Sequence, residues 1–437
     1  MKTKSNYRER FQCFLEKILG LPTLAWVFLA FLICYMAFFL KPMFLNSDLS
    51  IQYIYEYIPQ KDNIGFDIWA FMSYVDKWLI SNQSPYIDGF IAYPPLTVIL
   101  FAPLHKIGYP AYFTLITIVT IVLYTCITLL IPLFTTHKRN TSLVLFFYIT
   151  GLFSYGLQFE LERGQSDIIA FAFCLLAIYL YHYHEKFRYF AYILFSISIQ
   201  LKLYPAIFVV MFIKDWRKWK DNIRRVLGLA LFNVGLLFVL GYRIFLDFVA
   251  AIIGAQGYQS SSPYNLSIKG FVGYLVGREW NFWGASHLAM LQQNAQLIEY
   301  LLLALFSVCL FFLVASAYKN NTGGVNPYLL LASTVGALII PSISNDYKLP
   351  LLHVPMLVLL GTLPRCDNYL KKSFSLILIV VTSIAYWSTF YPFMVKPDFL
   401  SRNFIPLVVI LMSITALSII MGGEYEPMYL VEEKDKE

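Results

Sequence analysis

Charge is scarce in this chain. Asp, Glu, Lys and Arg supply 14% of its 437 residues, against about 25% in soluble domains. A chain with 59% hydrophobic residues and a mean hydropathy of +0.63 cannot clothe itself in polar surface, so its solvent is lipid. Paired cysteines are missing too. Cys13, Cys34, Cys126, Cys174, Cys309 and Cys366 form no CxxC, and four of them lie in apolar runs, which excludes a disulfide framework or a zinc site. The six histidines show no metal-ligand spacing. His182 and His184 sit among basic residues as topology signals, and His353 is a polar group inside a span. No metal and no cofactor are therefore expected, although the acids of the outer loops leave room for a divalent cation. No basic patch with interleaved aromatics occurs, so the net charge of +7 is not a nucleic-acid signal. Sequence repeats, low-complexity tracts and a separate soluble domain are absent, which makes residues 1–437 one membrane-embedded domain. The apolar run Leu21–Leu40 is too long for the core of a cleavable signal peptide and reads as a retained first span.

What is present orders the topology. Aromatics are abundant, with 38 Phe and 32 Tyr, many near segment ends as an interfacial belt requires. Residues 1–21 hold Lys2, Lys4, Arg8, Arg10 and Lys17 against Glu9 and Glu16, and the positive-inside rule makes them cytoplasmic. Residues 41–92 hold six acids against three lysines and form the first extracytoplasmic loop. The basic runs at 137–139, 182–188, 214–225 and 365–372 are placed inside, as is the tail 423–437. Residues 158–165, 247–297 and 345–348 are placed outside. The alternation closes with about 10–12 transmembrane helices and an all-α polytopic architecture. Segment 189–213 has basic sequence at both ends, yet it is too short to cross twice as helices of about 20 residues. With Lys202 and Pro205 at its middle, it is a broken hairpin that stops short of full traversal, or two short tilted spans.

In the first outer loop, Ile68, Phe71, Met72, Val75, Trp78 and Leu79 recur at helical spacing, with Ser73, Asp76 and Lys77 on the other face. Such an amphipathic helix lies along the membrane surface. Asp67 falls at its N-cap, where Asp is favoured as a plain cap. The same placement also holds a carboxylate rigidly at the lipid–water boundary, available as a general base.

The order Asp67-Ile68-Trp69, Ser84-Pro85-Tyr86, Tyr93-Pro94-Pro95-Leu96 and Phe101-Ala102-Pro103-Leu104 resembles glycosyltransferase family 87. Further on, Gly164-Gln165-Ser166-Asp167 is similar to that family's Gly-Gln-x-Asn turn, with Asp167 where Asn is usual. Lys202-Leu203-Tyr204-Pro205 looks like its Lys-x-x-Pro element, and Asn265-Leu266-Ser267-Ile268-Lys269-Gly270 like its Asn-x-Ser-Leu-x-Gly loop. Ser344-Asn345-Asp346-Tyr347-Lys348 stands where a late loop is often rich in Trp and His, so Tyr347 and Lys348 replace the usual histidines. The resemblance runs over about residues 65–355. It implies the GT-C membrane fold in a plasma (inner) membrane, and inverting transfer of a sugar, mannose in the best-known members. The donor would be a polyprenyl-phosphate-linked sugar, the acceptor a glycan or glycolipid hydroxyl, and the site would face the extracytoplasmic side.

That chemistry makes three demands. A base must take the acceptor proton, and Asp67 holds the family's catalytic position. The leaving phosphate needs cations or fixed donors, for which Lys202, Lys348 and Arg163 are candidates. Each has a structural alternative: snorkelling or an ion pair for Lys202, an interfacial anchor for Lys348, and a local pair with Glu160 or Glu162 for Arg163. The sugar needs a polar platform, for which Tyr93, Gln165, Asn265 and Ser267 are candidates. Loop capping and turn bonding are the alternatives for Gln165, Asn265 and Ser267. A transporter or lipid or polysaccharide flippase of the cell envelope is the rival class, since a broken helix with a buried lysine also suits one.

Overall fold

The computed structural model describes residues 64–87, 93–135, 141–152, 154–258, 265–277, 285–320, 324–363, 369–387 and 403–425. The expected first span, the acids Asp48, Glu56 and Asp62, and most of the tail 423–437 lie outside the described residues. Those residues form helices and no strand, with one isolated bridge between Asn265 and Asn345.

The amphipathic pattern after Gly65 becomes α1, Phe66–Ser81. It buries Ile68, Phe71, Met72 and Val75, the i, i+3, i+4, i+7 face that a helix presents to its support. That support comes from Tyr86, from Val98 and Phe101 of α2 (Pro95–Phe101), and from Tyr112 and Ile116 of α3 (Ala111–Thr125). Pro95 opens α2 at a position that tolerates a missing N–H, and a 3-10 stretch, Ala102–Ile107, continues it. His105 on that stretch meets Asp76 of α1 at 2.5 Å. The span that begins with α3 extends to Leu133 across a π-helical turn at Cys126–Leu130.

Helix α4, Thr141–Leu152, leads to α5, Tyr155–Arg163, which Ser154 caps by accepting from Leu157 N–H at 3.3 Å. Gly164 closes α5 in the left-handed region, and α6, Asp167–Tyr183, follows. Next come α7, Arg188–Leu201, and a 3-10 helix, Tyr204–Phe212. Phe212 stacks on Phe195 and Tyr192 of α7, so the chain folds back on itself with Lys202 at the tip. This is the expected hairpin. The 3-10 geometry rises about 2.0 Å per residue against 1.5 Å in an α-helix, which lets nine residues return most of the height that the 14 of α7 gained.

The remaining helices are α8 (Trp219–Leu236), α9 (Tyr242–Tyr258), α10 (Ile268–Leu275), α11 (Ala285–Gln293) and α12 (Ala295–Asn320). Beyond them come α13 (Pro327–Ile339), α14 (His353–Thr362), α15 (Tyr369–Trp387) and α16 (Phe404–Ile420). Helix α13 is buried from Pro327 to Ile339 and forms the axis of the core. A 3-10 helix, Asp346–Leu352, joins α13 to α14 and packs on α5.

Around an apolar core, the surface is apolar too. Leu297, Leu301, Val308 and Phe311 of α12 and Ile118 and Val122 of α3 are exposed. Glu160, Asp167, Asp346, Lys348 and His353 are buried. Apolar outside and ionisable inside is the distribution that hydrocarbon imposes, and the chain is an all-α polytopic membrane protein. Among the described residues, Ala111–Leu133 and Ala295–Asn320 are long and apolar enough to cross unaided. A bent pair, Leu143–Leu152 with Tyr155–Arg163, adds a third candidate, and shorter apolar helices such as α6 and α16 pack beside them.

Candidate functional site

The cap of α1 is Gly65, at φ 75°, and Asp67 lies inside the first turn rather than at the N-cap. The carboxylate therefore does not cap its own helix. It points across to the α5–α6 turn, where Gln165 Nε2 donates to Asp67 Oδ2 at 2.6 Å. Arg163 Nη1 stands 3.9 Å from the other oxygen, Oδ1, while its Nε holds Glu162 at 3.1 Å. The Asp67 side chain keeps 28% of its surface open, whereas Arg163 keeps 7%. Two glycines permit this approach. Gly65 N–H donates to the Glu162 carbonyl at 2.6 Å, and a Cβ on Gly164 would meet Ile68 Cγ2 at 2.6 Å.

Behind Gln165 lies a buried polar cluster. Lys202 Nζ reaches Gln165 Oε1 at 2.6 Å, the Tyr93 hydroxyl at 3.1 Å and Asp167 Oδ2 at 3.0 Å. The first two contacts are hydrogen bonds donated by Lys202, and the third is an ion pair. The Tyr93 hydroxyl in turn donates to Gln165 Oε1 at 3.0 Å, and its ring lies 4.4 Å from Lys202 Nζ and 4.6 Å from the Phe71 ring of α1. Tyr86 donates to the Tyr93 carbonyl at 2.7 Å. Burial pushes the Tyr86 phenol well above its ordinary pKa, so it stays a neutral donor and pins the Tyr93 backbone.

Lys348 lies one step deeper. Its Nζ sits 5.4 Å from the Tyr204 ring and 3.4 Å from the Ile343 carbonyl, and Tyr204 donates to the Asp167 carbonyl at 2.7 Å. Tyr347 fills the space between Phe159 and Lys202, at 5.5 and 6.0 Å. Glu160, buried on α5, accepts from Ile168 N–H at 2.8 Å and caps α6 from outside.

Asn265 and Ser267 do a different job. Asn265 donates to the Ser342 carbonyl at 2.8 Å and accepts from the N–H groups of Ser267 and Ser344, each at 3.1 Å. Ser267 donates to Ser342 at 3.0 Å and caps α10 by accepting from Gly270 N–H at 2.8 Å. Both side chains stitch their loop to residues 342–345, which lead directly into the 3-10 helix that carries Tyr347 and Lys348.

Five candidates from the sequence, Asp67, Tyr93, Arg163, Gln165 and Lys202, thus meet in one network, with Lys348 adjacent. Sequence reasoning did not assign Asp167 its ion pair or Tyr347 and Tyr204 their places. Asp167 left one trace, an acid in a turn where Asn is usual. Among the described residues, no group of three or more His, Cys, Asp or Glu gathers as a metal would require. A part-open carboxylate, oriented on one side and backed by buried cations, suits proton abstraction beside a developing negative charge.

Among known sequences, the model of glycosyltransferase family 87 matches residues 90–344, more than half of the chain. That range includes Tyr93, Arg163, Gln165, Lys202, Asn265 and Ser267, while Asp67 and Lys348 flank it. No curated protein and no solved structure matches the chain.

Proposed function

Because the chain belongs to glycosyltransferase family 87, we propose that it transfers a sugar, with mannose the first candidate, from a polyprenyl-phosphate carrier to a glycan or glycolipid hydroxyl. Family membership decides for an enzyme over a transporter. The observation that carries the finer reading is the part-exposed Asp67 carboxylate, tied at Oδ2 by Gln165 with Oδ1 3.9 Å from Arg163. In the reaction, the acceptor oxygen bonds to the anomeric carbon as the carbon–phosphate oxygen bond breaks. The configuration inverts, the acceptor proton passes to Asp67, and polyprenyl phosphate leaves with the bonding pair. Such a base contributes about 10²–10⁴-fold.

The leaving phosphate needs cations. Lys348, with a long carbonyl contact, and Arg163, 3.9 Å from Asp67, answer that need. Asn265 and Ser267 contribute by holding the loop that positions Lys348, and Tyr93 offers the sugar an edge of the buried cluster. A monophosphate leaving group does not oblige a metal. Lys214–Arg225 lie beyond the far end of α6 from Asp167. With the positive-inside rule, these basic residues support an extracytoplasmic site for Asp67, in a plasma membrane on this reading.

The deciding experiment is a transfer assay on purified protein in nanodiscs with a polyprenyl-phosphate sugar, wild type against Asp67→Asn. Turnover is expected to fall at least about 10²-fold, with an unchanged thermal midpoint. Full activity in the variant removes Asp67 as the base.

A further inference from the structure

We infer that Lys202 is a positioning residue: paired with Asp167, it fixes the Gln165 amide so that Gln165 holds Asp67 by Oδ2 and leaves Oδ1 for the acceptor proton. This rests on the reading of Asp67 as base, and it takes Lys202 out of the set of phosphate ligands. A glutamine amide has a donor end and an acceptor end. Here one end lies 2.6 Å from an ammonium nitrogen and the other 2.6 Å from a carboxylate oxygen. Only one orientation satisfies both; the reverse sets NH₂ against ammonium and carbonyl against carboxylate. Lys202, with the Tyr93 hydroxyl, therefore holds the Oε1 end of Gln165 and keeps the Nε2 end on Asp67.

Lys202 is committed away from a phosphate. It donates to Tyr93 and Gln165 and is ion-paired with Asp167 at 3.0 Å, and its side chain is 11% exposed while that of Asp167 is fully buried. The pair is net neutral, so an incoming anion meets no uncompensated charge there. A buried ion pair adds little net stability, and fixing geometry is the better-attested use of one. Both partners also stand on firm backbone. Lys202 ends α7 in extended conformation, and its N–H bonds the Ser198 carbonyl at 3.1 Å. Asp167 opens α6 two residues after Gln165. The acid that departs from the usual Asn of this turn is the counterion that lets Lys202 serve in this way.

Two variants in nanodiscs test the relay. Gln165→Glu keeps the shape and a partner for Lys202, but presents no N–H to Asp67. The expected result is a fall in kcat of about 100-fold, the scale of a misplaced reacting group, with donor KM within about 3-fold of wild type. Near-normal kcat would mean that Gln165 only fills space, and the relay is overturned. Lys202→Met combined with Asp167→Asn removes both charges, so neither is left buried alone. The relay predicts a kcat loss of about 10–100-fold with binding of a fluorescent polyprenyl phosphate within about 3-fold. Binding at least about 10-fold weaker would make Lys202 a phosphate ligand and sink the inference. A cryo-EM map of the double variant needs no turnover. Gln165 leaving Asp67 supports the relay, and an unmoved Gln165–Asp67 contact refutes it. Wild-type protein that transfers no sugar would end the reading of Asp67 as base and leave the map to decide the relay.

Discussion

Gly164 has no room for a side chain. Its φ of 66° suits glycine, and an added Cβ would sit 2.6 Å from Ile68 of α1. Gly164→Ala is expected to cost about 1–3 kcal/mol, read as a lower unfolding midpoint in detergent, and to slow transfer because the turn carries Gln165. Tyr93→Phe removes one hydroxyl that serves both Lys202 and Gln165. Its expected signature is about a 10-fold lower kcat. Lys348→Met should instead raise donor KM about 10-fold, as loss of one charge-assisted contact does. Residue motifs made Asp67, Gln165, Arg163 and Lys202 legible as a set. The Asp167–Lys202 pair was not legible, because nothing in sequence spacing says which cation, 35 positions on, a turn will meet (202 − 167). The start of α1 also differs from the apolar pattern, because a left-handed Gly65 takes the cap and moves Asp67 into the first turn.

At the scale of elements, α1 was the clearest reading, since its apolar spacing permits only one buried face. The hairpin of α7 and Tyr204–Phe212 was legible as too short to cross twice, from Lys202, Pro205 and its two basic ends. Its 3-10 second arm was not, because the same apolar residues suit either helix and packing makes the choice. Phe212 wedges among Phe195, Tyr192 and Tyr181. Phe212→Ala should cost about 3–5 kcal/mol and loosen the tip that carries Lys202, measurable as faster proteolysis between residues 202 and 214. Ser267→Ala is expected to cost about 1 kcal/mol, the value of a lost N-cap. Transfer kinetics within about 3-fold of wild type would separate that role from contact with sugar.

For the whole molecule, composition alone implied lipid as solvent, and the exposed apolar rows of α3 and α12 around buried Glu160, Asp167 and Lys348 are its physical expression. The orientation proposed from loop charge is open to direct test. Cysteines placed at Gln83, exposed beyond α1, and at Lys220, exposed on α8, should react with an impermeant maleimide from opposite sides of sealed vesicles. Labelling from one side would overturn the topology. The stitch between Asn265 and Ser344 joins residues 79 apart, and it sets a schedule for synthesis. At about 5–20 residues per second, a ribosome needs about 4–16 s to deliver the partners of Asn265 after Asn265 itself emerges. Through that interval the Asp67 end of the bundle lacks its late wall, and an unpaired amide waits near the membrane surface. A newborn copy thus passes through a stage in which Asp67 has emerged and Lys348 is still to come, until the message has been read past residue 348 of 437.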